Sequence, residues 1–132
     1  MKTIELLKEN PSAFEAMQNW HRNEVLESSK DLPKYFIEML EKENIDESVI
    51  QAITDANPRN WFDFFDSHKI YIDIKADFDG TFRYALLEGT VSKLGSLEKF
   101  KTRKEADAAA VEAAILSLEN KLKLLEKDNK DS

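Results

Sequence analysis

The chain reads as an α+β protein, with about four short N-terminal helices, then a two- or three-stranded antiparallel sheet covered by a long C-terminal helix. Three observations predict this. Through residue 58, apolar side chains recur at three- and four-residue spacing between proline stops. From Ile70 the period drops to two, as Ile70, Ile72 and Ile74 alternate with Tyr71, Asp73 and Lys75. From Arg103 the helical period returns in an alanine- and leucine-rich stretch that runs to about Lys127.

Thr3 opens a brief helix that Asn10-Pro11 ends, because the residue before proline is pushed out of the α region. Ser12 and Glu15 have the spacing of a capping box for a second helix, whose stripe is Phe14, Met17, His21 and Val25 with Trp20 beside them. That helix ends near Ser28-Ser29. Pro33 suits the first position of a third, with Phe36, Ile37 and Leu40 as its buried stripe, running to about Asn44. Asp46 is the expected N-cap of a fourth, with Val49, Ile50 and Ile53 inward and a stop at Asn57-Pro58. Trp61, Phe64 and Phe65 follow at i, i+3, i+4, a one- to two-turn helix or 3₁₀ segment between the halves.

The stretch Asp77 to Tyr84, DFDGTFRY, joins two strands, and two registers fit it. A two-residue Asp79-Gly80 turn would put Arg83 among the isoleucines. A three-residue loop, Phe78-Asp79-Gly80, with Gly80 left-handed, instead pairs Asp77 with Thr81. It gathers Ile70, Ile72, Ile74, Ala76, Phe82, Tyr84 and Leu86 on one face. At about 1.5–3 kcal/mol per buried large apolar side chain, the second register wins by several kcal/mol.

Gly89 reads as a bend and Gly95-Ser96 as a second turn, so the third strand is expected over Leu97 to Lys101. Thr102 and Glu105 then form a capping box for the last helix. Its stripe is Val111, Ile115, Leu118, Leu122 and Leu125, with Ala106, Ala109, Ala110, Ala113 and Ala114 alongside. The expected organisation is one domain over 1–132: a helical half (1–58), an aromatic junction with a β-β-β-α half (59–127), and a frayed tail (128–132).

Composition narrows function. There is no cysteine, hence no thiolate metal site and no thiol nucleophile, and the usage suits a reducing, cytoplasmic setting. Glu5 and Glu9 interrupt the start MKTIELLKEN where a signal peptide needs an apolar run, and no stretch suggests a membrane span. The net charge of −7 lies wholly in the first half, where residues 1–68 hold 14 acids against 7 bases. Such a surface repels phosphate backbones. Three glycines, at 80, 89 and 95, leave no phosphate-cradling loop, and no G-x-S-x-G elbow occurs. No catalytic, cofactor or metal residues are therefore assigned and no cofactor is expected: His21 with Glu24, His68, and the pair Asp73 and Asp77 read as structural or charge-balancing groups.

The basic residues concentrate elsewhere. Lys75, Arg83, Lys99, Lys101, Arg103 and Lys104 lie on the sheet and at the entry to the last helix, where free N–H groups favour anions. With LEKFKTRKEADAAAVEAAILSLE after a hairpin, residues from about 69 to 127 resemble the β-β-β-α nucleic-acid-binding modules of AP2 and integrase type, and the helix entry is similar to that of double-stranded-RNA-binding domains. The resemblance implies DNA or RNA as partner through those six residues. The leading expectation is different: a small acidic, non-enzymatic interaction protein, in character a phage or accessory bacterial one. It would bind another protein, or itself as a homodimer, through Phe78 at the hairpin tip, Trp61, Leu118, Leu122 and Leu125. Nucleic-acid binding stands second, a small enzyme using Asp73, Asp77 or His68 third, and no membrane partner is expected.

Overall fold

The computed structural model describes residues 2–42, 44–88, 91–95 and 98–131, the backbone alone for 2, 91–95 and 128–131. The elements are α1 (Lys2–Glu9), α2 (Pro11–Ser28), α3 (Lys34–Glu41), α4 (Glu47–Ala56), a 3₁₀ turn (Pro58–Trp61), α5 (Phe62–Ser67), β1 (Ile70–Ala76), β2 (Phe82–Glu88), β3 (Val91–Gly95) and α6 (Arg103–Asp131). The architecture is α+β: helices first, then an antiparallel sheet in the order β1-β2-β3 on which α6 packs. At 1.5 Å per residue α6 is about 43 Å long.

The hairpin takes the three-residue loop. Ile70 pairs with Glu88, Ile74 with Tyr84 and Ala76 with Phe82. Gly80 N–H donates to the Asp77 carbonyl at 3.1 Å, Asp77 N–H to the Thr81 carbonyl at 2.8 Å, and Gly80 sits at φ +84°. That left-handed angle is why glycine stands there. Ile70 and Leu86 are buried under α6, Ile72 and Tyr84 pack partly against the core, and Asp73, Lys75 and Arg83 face outward.

The third strand differs from expectation. It is Val91–Gly95, and among the described residues of the expected Leu97–Lys101 segment (98–101) only Phe100 joins the sheet, through an isolated bridge to Phe82 with both N···O distances 2.8 Å. A register shift between Leu86 and Leu87 lets β2 turn into this earlier pairing, with Gly95 inside the strand opposite Ala85. The bend expected at Gly89 lies outside the described residues, as does Ser96. Helix α6 continues through Asp131.

Local caps account for two helices. Asp46 Oδ1 accepts from the N–H groups of Ser48 at 3.0 Å and Val49 at 3.2 Å, and the Ser48 hydroxyl it also holds keeps its carboxyl below the usual range. Thr102 Oγ1 accepts from Glu105 N–H at 3.1 Å. For α2 the expected Ser12/Glu15 box is replaced. The helix starts one residue earlier at Pro11, and Asn10 turns its amide back onto the Leu6 carbonyl at 2.7 Å. The acceptor for the first turn comes from α6: Glu119 Oε1 takes the Ala13 N–H at 2.9 Å, and both groups are buried.

One core cluster links both halves of the chain. Leu7, Ala13, Met17, Ile50, Trp61, Phe64, Phe65, Ile70, Leu86, Val111, Ile115 and Leu118 are buried together. Phe64 is its hub, with edge-on contacts to Trp61 at 6.0 Å, Phe65 at 5.0 Å and Trp20 at 5.7 Å. The Trp61 indole N–H donates to Thr54 Oγ1 at 2.9 Å, which satisfies the one polar atom this ring brings inside. A forked ion pair, Arg59 to the buried Asp107 at 2.7 and 3.3 Å, fixes the start of α6 on the 3₁₀ turn.

Candidate interaction surface

The residues expected to bind a partner do not form one surface. Trp61 is only 2% exposed and Leu118 is fully enclosed, so both belong to the core. Leu122 is half-buried against that core, while Leu125 on α6 and Phe78 at the hairpin tip are exposed. Single exposed apolar side chains of this kind are ordinary on a protein surface.

The expected nucleic-acid residues lie on the sheet half as anticipated, but several are engaged within the chain. Arg83 makes a fork to Asp77 at 3.0 and 2.9 Å, and Lys99 pairs with Asp79 at 3.0 Å. The Thr81 hydroxyl, then Lys99, hold the Asp79 carboxyl down to about 2. Arg103 stacks its guanidinium 4.9 Å from the centre of the Phe82 ring. Lys75, Lys101 and Lys104 are exposed, and Lys75 stands directly across from Arg83. Each engaged cation is one fewer for a phosphate backbone.

Groups suited to acid–base chemistry are similarly dispersed. Asp73 faces solvent and Asp77 is held by Arg83. His68 is half-buried edge-on to Phe64 at 4.9 Å, and burial, then the Lys121 charge, push its imidazole below the usual value. His21 and Glu24 do share a cleft of about 350 Å³ with Trp20, Ile53, Asn60, Trp61 and Asp63. No group of three potential ligands there or elsewhere among the described residues could hold a metal ion. A second cleft, about 340 Å³, runs along α6 between Leu86, Ala113, Leu116 and Leu124, with Glu88, Ser117, Asn120 and Lys121 at its polar side.

The most pronounced surface feature lies on α3. Pro33 leaves the chain extended at ψ 146° and opens a helix of eight residues in which none is buried. Ile37 and Leu40 are half-buried on the side toward α2, the helix that α3 packs against. The rest of the helix's apolar residues, Tyr35 (65% exposed), Phe36 (47%) and Met39 (54%), face water, as does Leu32 (45%) in the bend before the helix. Within the helix Tyr35 and Met39 stand at i and i+4 with Phe36 beside them, and the rings of Tyr35 and Phe36 meet edge-on at 5.3 Å. Phe36 was expected inside; it faces out because the helix is apolar on two overlapping sectors and the Ile37 and Leu40 sector takes the side toward α2. The signal for the patch was present in the sequence as Tyr35, Phe36 and Met39, more apolar residues than one buried stripe of a short helix can use.

No family model, no curated protein and no solved structure matches this chain. The resemblance to β-β-β-α nucleic-acid-binding modules therefore rests on strand order and helix entry alone. Among the described residues, no helix is long and apolar enough to cross a membrane.

Proposed function

We propose that this chain is a non-enzymatic interaction protein that acts by laying the outer face of α3 into an apolar groove on another polypeptide. The observation that carries this is the patch of Tyr35, Phe36 and Met39, three large apolar side chains left in water on a helix with no buried residue, with the exposed Leu32 in the bend just before it. Isolated exposed apolar residues need no explanation, whereas a contiguous patch does. Tyr35 and Met39, one turn apart with Phe36 beside them, supply the i, i+4 part of the anchor pattern of helix-in-groove recognition. The dispersal of Asp73, Asp77 and His68 supports a role without catalysis, and the ion pairs of Arg83 and Lys99 support ranking nucleic-acid binding second. The lack of cysteine suits a reducing compartment such as the cytoplasm.

Site-specific photo-crosslinking in an extract of the source cells tests the proposal. A photoreactive phenylalanine analogue in place of Tyr35 is expected to give a discrete protein adduct, and the same analogue in place of the exposed Asn23 on α2 is expected to give none. Indistinguishable patterns from the two positions would refute docking through α3.

A further inference from the structure

We infer that the groove receiving α3 belongs to a different protein and is rimmed by lysine and arginine, rather than being a second copy of this chain. The inference rests on the docking face proposed above and adds the chemistry of its partner. From Glu27, in the last turn of α2, to Glu47, the first residue of α4, the sequence holds seven acids and three bases, a net charge of −4 out of −7 for the whole chain. One of the three bases, Lys30, is already paired with Glu27 at 3.0 Å. The apolar patch thus sits in an acidic stretch of the sequence. Asp31, Glu38 and Glu41 are all exposed in and just before α3.

Charge selects between the two occupants. A symmetric dimer through α3 would bring two segments of like sign together across a two-fold axis, with the self-repulsion of two chains of −7 added. Size points the same way. An eight-residue helix is about 12 Å long, whereas a stable dimer interface commonly buries about 800 Å² on each partner. A groove with an apolar floor and basic walls matches both features, burying Tyr35, Phe36 and Met39 and meeting the acids at the rim, where opposite charge raises the association rate and orients the complex.

Two helical peptides sharing one leucine face serve as probes, one carrying lysine at every polar position and one carrying glutamate. Binding to the full chain is measured by fluorescence anisotropy at low and high salt, and self-association of the chain by sedimentation equilibrium. The expected result is a monomer that binds the lysine peptide at least about tenfold more tightly than the glutamate peptide, with the gap narrowing as salt rises. The double variant Tyr35→Asp/Met39→Asp is more acidic than the wild type, so binding by charge alone would strengthen in it. The inference requires the opposite, a loss of at least about tenfold with the circular dichroism spectrum unchanged. Equal binding of both peptides, abolished in the variant, would overturn the basic partner while leaving docking through α3 intact. Lysine-peptide binding that survives in the variant, binding of neither peptide, or a dimer that the variant dissolves would each overturn the inference.

Discussion

Replacing Glu119 tests how much of the first half of the chain depends on α6. Its Oε1 is the acceptor for the buried Ala13 N–H at 2.9 Å, while its Oε2 makes no hydrogen bond and lies 3.8 Å from Lys123 Nζ. In Glu119→Ala the Ala13 amide is left buried and unpaired, which costs about 1–3 kcal/mol. Loss of one packed methylene adds about 0.8 kcal/mol. Loss of a negative charge at a helix N-terminus adds about 0.3–1 kcal/mol. Relief from burying a carboxylate with one unsatisfied oxygen offsets part of this, leaving about 2–3 kcal/mol. With an unfolding entropy of about 2.1 cal/mol/K per residue over 132 residues, Tm should fall by about 7–11 °C. Glu119→Gln keeps the acceptor and the volume, so its loss should stay near about 1 kcal/mol or below. Urea and thermal unfolding of the three proteins decide it. An alanine variant within about 0.5 kcal/mol of wild type, or a glutamine variant as damaged as the alanine one, would refute the view that a shared hydrogen bond caps α2.

Three further outcomes are expected. Lys69 sits at φ 60° where α5 turns into β1, and a non-glycine residue there costs about 1–2 kcal/mol, so Lys69→Gly should stabilise by about 0.5–1 kcal/mol after glycine's own entropic cost; a lower urea midpoint would contradict it. The Asp79 carboxyl should titrate near 2 in a carbon-detected NMR titration, because Thr81 and Lys99 hold it below its ordinary value of 3.8. A depressed carboxylate stabilises the fold fully above the unfolded value and loses that contribution as pH falls from 3.8 toward 2, so Asp79→Asn should flatten acid unfolding in that window; a titration at or above 3.8 would refute the assignment. Thr54→Val removes the acceptor for the buried Trp61 indole N–H and should cost about 1–3 kcal/mol in denaturant unfolding, and an unchanged midpoint would mean the pair contributes little.

The hairpin was legible because its information is local. A change of period at Ile70 and an Asp-x-Asp-Gly turn determine which register puts seven apolar residues on one face, and the strands pair in that register. Asp46 and Thr102 were legible for the same reason, since a side-chain cap reaches only two or three residues along the chain. The cap of α2 was not, because its acceptor lies 106 residues away and nothing local marks Glu119 as different from the other acids of α6. On α3 the residue types were legible and the rotation was not. Five large apolar residues among eight positions wrap most of the helix, and only tertiary packing chooses the Ile37 and Leu40 side. The third strand was misplaced because Gly95 was read as a turn, whereas a bulge in β2 brings it into the ladder. The expected binding residues went astray through burial: Trp61 and Leu118 are the kind of side chain a partner would want, and the core takes them first.

The tie between Glu119 and Ala13 also bears on the order in which the molecule assembles. α6 reaches back to Ala13 across 106 residues, to Arg59 across 48 and to the His68 carbonyl across 53. Contacts this distant in sequence form only after large loops have closed, so they slow folding and tie separate segments into one transition. During synthesis the N-terminal helices leave the ribosome before the residues that complete them exist. Until α6 emerges, the first turn of α2 lacks its acceptor and Phe64 and Phe65 lack their cover. A nascent chain halted before residue 119 should therefore remain protease-sensitive throughout its helical half, with the native core appearing in one late step when the last helix arrives.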